Sequence, residues 1–220
     1  MAMDPLYLPG REEIFNRMRR DPIFIDDYQG ALGYEILTAE FIQALANHLG
    51  QRLADIPQGN QGTIKILEVG AGNGRLSHFL GAELNKKFPG KFEIVATSYP
   101  DEKYKFRLIF PSEQKDYRDA LRKHKPAVVL CSWMPMDDDW SADFRNTSSV
   151  QEYILIGPTS GACGKKWETF GGVSSSSQVG KIPPFAQEGF EYKPLAEVAK
   201  TQIQLPGREY DTTTVSFIRK

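Results

Sequence analysis

The sequence predicts an α/β domain: a mostly parallel sheet with helices on both faces and a helical extension ahead of it. Three observations carry this. First, Ile64–Val69 is a short, mainly apolar run followed by glycines at alternate positions, Gly70, Gly72 and Gly74. Leu76, Phe79, Leu80 and Leu84 then recur at helical spacing, so the run reads as buried strand, tight turn and helix. Second, apolar runs and helical stretches alternate from there to Gly157, as parallel strands joined by helical crossovers require. Third, 220 residues are ample for one core, and neither an internal repeat nor a second domain is visible. The expectation is a single domain over 1–220, with 1–60 as an N-terminal helical cap and 61–220 as the core.

In chain order, Arg11–Arg20 is a short charged helix stopped before Pro22. Glu35–Leu53 is a longer helix whose stripe is Ile36, Leu37, Phe41, Leu45, Leu49 and Leu53, and Thr38 either interrupts or caps it. Residues 57–62 form a loop into the first strand. Phe92–Ser98 is the second strand, followed by a turn at Tyr99–Pro100–Asp101, and a third strand falls just before Asp116. Tyr117–Lys125 is helical, Pro126–Trp133 is a strongly apolar fourth strand, and Tyr153–Gly157 is a fifth. Residues 158–184, rich in Gly, Ser and Lys, form either a lid or an exposed loop. Thr201–Leu205 and Thr213–Arg219 read as two strands around Pro206–Gly207.

Composition narrows the function classes. Lysine plus arginine number 27 against 28 aspartate plus glutamate, a formal net charge of -1, so nothing favours a nucleic-acid or anionic-membrane partner. No apolar run is long enough to span a bilayer, and the N-terminus has no signal-peptide core. Two cysteines, Cys131 and Cys163, make no disulfide framework, and a cytoplasmic location follows as the expectation.

The glycine turn is the most specific feature. A dinucleotide fingerprint counted from Gly70 and Gly72 would need its third glycine at position 75, which is Arg75. A phosphate-binding G-K-[ST] is absent as well. The run Glu68-Val69-Gly70-Ala71-Gly72-Asn73-Gly74 resembles motif I of the class I S-adenosylmethionine (SAM) dependent methyltransferases. That resemblance implies a Rossmann-like, seven-stranded, mostly parallel sheet of order 3-2-1-4-5-7-6, with SAM at the carboxyl ends of the strands. Glu68 suits the cationic methionine end of SAM, and the bare glycine backbone admits its ribose.

The same resemblance points to further candidates. After the second strand the family usually has an acid for the ribose; here Thr97 and Ser98 stand there, and Asp101 is the nearest acid. Asp116 and Tyr117 occupy the adenine position, where Asp116 could equally be a helix cap. Ser132 and Trp133 fall at motif IV, without its double proline; Trp133 is a pocket wall that favours a sulfonium or a packed strand end. Tyr28, Gly33, Tyr34 and Met134 are candidates for the substrate side, although the segment 28–34 also reads as a loop anchored by two aromatics. Asp137-Asp138-Asp139 reads as a solvated turn and helix start, with no metal expected, because no acid follows the fifth strand. No convincing base emerges from Asp137, His78 or Tyr28. The expected activity is methyl transfer from SAM to an oxygen or nitrogen of a small molecule. Two alternatives stand beside it: a divergent small-molecule binder or non-methylating enzyme of the same fold, and a protein methyltransferase.

Overall fold

The computed structural model describes residues 4–56, 62–99, 108–205 and 211–220. Helices α1 (Arg11–Arg20), α2 (Phe24–Leu32) and α3 (Ala39–Gln51) precede the sheet. Then come β1 (Ile64–Val69), α4 (Arg75–Lys87), β2 (Phe92–Ser98), β3 (Glu113–Gln114), α5 (Tyr117–His124) and β4 (Val128–Ser132). The chain continues through α6 (Ser141–Asn146), β5 (Glu152–Gly157), α7 (Pro184–Gln187), β6 (Phe190–Pro194), α8 (Ala196–Ala199) and β7 (Thr213–Arg219). The seven strands run in the order β3-β2-β1-β4-β5-β7-β6. β1 to β5 pair in parallel, and β7 runs antiparallel between β5 and β6.

Alternate residues of the central strands go to opposite faces, and each face has its own core. Ile64, Ile66, Val128, Leu130, Ile154 and Ile156 pack with Phe41, Leu45 and Leu49 of α3 and Leu80 and Leu84 of α4. Leu67, Val69, Val129, Cys131, Tyr153 and Leu155 pack on the other side with Leu121 of α5 and Phe144 of α6. Burial on both faces is why these strands read as near-continuous apolar runs. Among the described residues no helix is long and apolar enough to cross a membrane.

Four expectations need correction. The helix expected from Glu35 begins at Ala39, because the Thr38 hydroxyl caps it by accepting from the Phe41 N–H at 3.2 Å. Glu35, Ile36 and Leu37 are therefore buried but lie outside the helix, in the segment between α2 and α3. The supposed loop at 28–34 is largely α2: Phe24, Tyr28 and Leu32 recur every four residues and are buried, and Gly33 (φ +108°) ends the helix. The sixth strand is Phe190–Pro194, not Thr201–Leu205. Phe190 and Tyr192 pack on Tyr153 and Phe217, each pair with ring centroids 5.3 Å apart, whereas Gln202 turns its amide inward to bond side chains. The fourth and fifth strands begin at Val128 and Glu152, within two residues of expectation.

The glycine turn is a backbone device. Gly70, Gly72 and Gly74 have φ of +67°, +54° and +79°, the left-handed region where side chains are strained. A Cβ on Gly74 would sit 2.9 Å from the Phe110 carbonyl oxygen. Gly74→Ala is therefore expected to lower stability by about 1–3 kcal/mol in urea denaturation. Gly81, inside α4 with only Ile94 Cδ1 at 3.8 Å, supplies the contrast. Gly81→Ala is expected to raise stability by about 0.5–1 kcal/mol.

Candidate functional site

Strand order reverses between β1 and β4, and an open cleft of about 1150 Å³ lies there, beyond the carboxyl ends of the parallel strands. Gly70, Ala71, Gly72 and Asn73 form one side of it. The Ala71 N–H is already donated to the Thr97 carbonyl at 2.9 Å, which closes the turn against β2. Asn73 anchors the turn to the N-terminal layer: its amide donates to the Leu32 carbonyl at 2.7 Å, and its Oδ1 accepts from the Arg75 N–H at 3.1 Å.

Glu68 lines the cleft from below the turn and is 2% exposed. Its Oε2 accepts from the Ser77 N–H at 3.0 Å and from the Ser77 hydroxyl at 2.5 Å. It thus caps α4 from a distance, where Gly74 has no side chain to do so. Burial pushes its carboxyl up to about 7, against the lowering effect of the Ser77 donors.

Ser98 and Tyr99 border the cleft after β2, and Asp116 and Tyr117 border it after β3. Asp116 also caps α5, accepting from the Arg118 N–H at 2.9 Å. Tyr117 stacks on Trp140 with centroids 4.7 Å apart, and its hydroxyl donates to Asp143 at 2.8 Å. Burial and that carboxylate push the Tyr117 phenol up, so it stays protonated. Ser132, Trp133 and Met134 line the cleft after β4. The Trp133 ring stacks on Tyr34 at 5.3 Å, and its indole N–H donates to Glu35 Oε2 at 3.0 Å.

Three candidates do not reach the cleft. The Thr97 hydroxyl is turned into the sheet, donating to the Glu68 carbonyl at 3.0 Å. Gly74 faces Phe110 as the cap of α4. Tyr28, 1% exposed, is a core residue of α2 whose hydroxyl accepts from the Leu37 N–H and an Arg75 nitrogen. Asp101 lies outside the described residues. Of the weak bases, His78 stacks on Phe110 at 3.7 Å, and Asp137 sits in a turn at φ +66°; neither lines the cleft. Asp139 is occupied by Ser141 and Thr169, and only Asp138 of the three aspartates borders the cleft. From 158–184 only Ala162 lines it, so the segment does not cover the opening.

Sequence reasoning passed over Glu35, Arg75, Leu108, Met136 and Trp140, all of which line the cleft. Glu35 stood next to the noted Tyr34, but the apolar stripe assigned it to a helix. Tyr34, Tyr99, Leu108 and Met136 are also exposed large apolar side chains, so the rim is apolar while the floor holds carboxylates.

No family model matches the chain, and no curated protein matches it. Among solved structures, the DszA carbon methyltransferase is similar at 15% identity and TM-score 0.47, over 94% of this chain and 63% of that one. The citrinin polyketide synthase CMeT domain is similar at 15% identity and TM-score 0.46, over 96% of this chain and 59% of that one. Magnesium protoporphyrin IX methyltransferase (ChlM) from Synechocystis PCC 6803, with bound SAH, is similar at 11% identity and TM-score 0.35, over 95% and 100%. The chain thus spans about 60% of the first two structures' lengths. The fold is the Rossmann-like one of class I methyltransferases, an assignment that rests on this chain's own sheet order.

Proposed function

We propose that the cleft binds SAM and that the chain transfers its methyl group to an oxygen or nitrogen of a small molecule. The observation that carries this is Glu68: a buried carboxylate without a cationic partner among the described residues, directly beneath a left-handed glycine turn. That pairing fits SAM, whose methionine end carries a sulfonium and an ammonium, better than a pyrophosphate, which Glu68 would repel. Asp116 at the far end is an acceptor for an adenine amino group, and Ser98 and Tyr99 take the place of the usual ribose acid.

Bound SAM supplies an electrophilic methyl. The contribution of the chain is orientation and exclusion of water: the glycine turn fixes one partner, and Ser132, Trp133 and Tyr34 border the space for the other. Cys131 and Cys163 are buried thiols, Cys163 pushed up to about 12 by burial, which suits a reducing compartment such as the cytoplasm and disfavours a thiolate nucleophile. A second reading, a SAM-fold binder without transferase activity, draws support from Thr97 near the end of β2, whose hydroxyl is turned into the sheet and away from the cleft.

Calorimetric titration of SAM and S-adenosylhomocysteine into the wild type tests the cofactor. A dissociation constant on the order of 1 μM is expected. Gly72→Arg, which places a long cation in the turn, is expected to weaken binding by at least about tenfold. Absence of binding at millimolar ligand would refute the proposal.

A further inference from the structure

Glu35 is a second buried carboxylate on the cleft, 7% exposed, and it is held by neutral donors alone among the described residues. Gln202 Nε2 donates to its Oε1 at 2.9 Å; Trp133 Nε1 and the Thr212 hydroxyl donate to its Oε2 at 3.0 and 2.7 Å. Gln202 is itself fixed by the Thr214 hydroxyl at 2.9 Å. Segments before α3, after β4 and before β7 thus converge to hold one carboxyl group at a set place. Burying a carboxylate without a cation is costly, and the three neutral donors offset only part of that cost. Oε1, with a single described donor, retains acceptor capacity.

Charge around the cleft points the same way. Glu35, Glu68, Asp116 and Asp138 line it, against Arg75 and Lys115. The Arg75 guanidinium is taken up by the Pro5 and Tyr7 carbonyls and the Tyr28 hydroxyl. Among the described residues the lining therefore carries a formal negative excess of two, and SAM, with two positive groups and one carboxylate, offsets only one. Beside Glu35 stands the stacked Tyr34–Trp133 pair, a surface that attracts cations through its ring quadrupoles.

We propose that the methyl acceptor is a molecule carrying a cationic amine, protonated or quaternary, whose charged nitrogen docks on Glu35 beside the Tyr34–Trp133 pair. A different oxygen or nitrogen of the same molecule attacks the methyl with its lone pair, the sulfur–methyl bond breaks with its electron pair going to sulfur, and the acceptor's proton passes to solvent. This rests on the methyltransferase reading and supplies its substrate class: amines are selected, and carboxylate- or phosphate-bearing molecules are turned away by the lining charge. Burial, opposed by the three donors, raises the Glu35 carboxyl, and an arriving cation restores its ionised form.

The test uses the full chain, with and without S-adenosylhomocysteine. Benzylamine and tetramethylammonium serve as cation probes, and benzyl alcohol and tert-butanol as neutral counterparts of like size. At neutral pH and low salt the cations are expected to bind at least about tenfold tighter than the neutral probes. Glu35→Gln should abolish that preference while changing S-adenosylhomocysteine affinity by less than about threefold. Tyr34→Leu, at a half-exposed position that spares the core, should weaken the cation probes by about threefold. Equal binding of cations and neutrals, a preference that survives Glu35→Gln, or cation binding unchanged by Tyr34→Leu would overturn the proposal. A parallel loss of S-adenosylhomocysteine affinity in Glu35→Gln would also overturn it, by assigning the carboxylate to the cofactor. Failure of the wild type to bind S-adenosylhomocysteine would refute the methyltransferase reading instead, and the probe titrations without it still decide the role of Glu35.

Discussion

Arg75→Ala is expected to destabilise the chain by about 3–5 kcal/mol, through lost charged hydrogen bonds and a core cavity. Arg75 is 1% exposed and among the largest fully buried side chains. Its Nε donates to the Pro5 carbonyl at 3.0 Å, and its terminal nitrogens donate to the Tyr7 carbonyl at 2.8 Å and the Tyr28 hydroxyl at 3.0 Å. The guanidinium also lies 5.3 Å from the Phe79 ring centroid and 5.8 Å from that of Tyr28. One side chain therefore ties the N-terminal segment, α2 and α4 together. Truncation removes a donor from the buried Tyr28 hydroxyl and from two part-buried carbonyls and leaves an empty volume. Arg75→Lys, a point charge on a thinner stem, should recover only part of the loss. Urea midpoints measure the effect, and limited proteolysis should show residues 4–10 cleaved sooner in Arg75→Ala. A change below about 1 kcal/mol would show that the N-terminal layer is held by other contacts.

Glu68→Gln should flatten the pH dependence of stability while weakening SAM binding. The folded-state carboxyl is pushed from 4.5 up to about 7 by burial. An acid raised in this way favours the folded state when protonated, so its contribution is fully present below the ordinary value and is lost as pH rises through about 7. The wild type should lose about 3 kcal/mol of stability from this group across that window. The glutamine variant keeps an acceptor for Ser77 but has nothing to ionise. Its stability should exceed that of the wild type at alkaline pH and converge toward it in acid. Other raised carboxyls such as Glu35 act on both proteins and cancel in the difference. The ammonium and sulfonium of SAM should draw the Glu68 pKa back down, so binding to the wild type near neutral pH releases protons, which calorimetry in buffers of different ionisation enthalpy detects. Parallel stability curves for the two proteins would show that Glu68 ionises as an ordinary carboxylate.

Arg75 and Glu68 also mark how far the sequence could be read. The position of Arg75 excluded a dinucleotide fingerprint, yet nothing local revealed that its side chain reaches residues near position 5. Glu68 was legible because it sits two residues before a glycine turn, and that spacing is itself the motif. Its second role, capping α4 through Ser77, became visible only when strand and helix were packed. Gly30 and Gly33 made 28–34 look like a loop, although the four-residue recurrence of Phe24, Tyr28 and Leu32 was present and carried the helix. Thr97 stood at the expected strand end, but strand pleat turned its hydroxyl inward and left Ser98 at the cleft.

By itself the sequence determined the strand–turn–helix unit, the alternation that makes a parallel sheet, and the tight turn at the alternating glycines. These are local: each depends on periodicity, turn chemistry or backbone sterics within a few residues. The tertiary structure alone decided that Glu35, Trp133, Gln202 and Thr212 meet, and that Phe190–Pro194 forms the edge strand in place of Thr201–Leu205. Those contacts join residues up to 177 positions apart. They are selected by burial and hydrogen-bond satisfaction summed over the whole core, a quantity that no local pattern encodes.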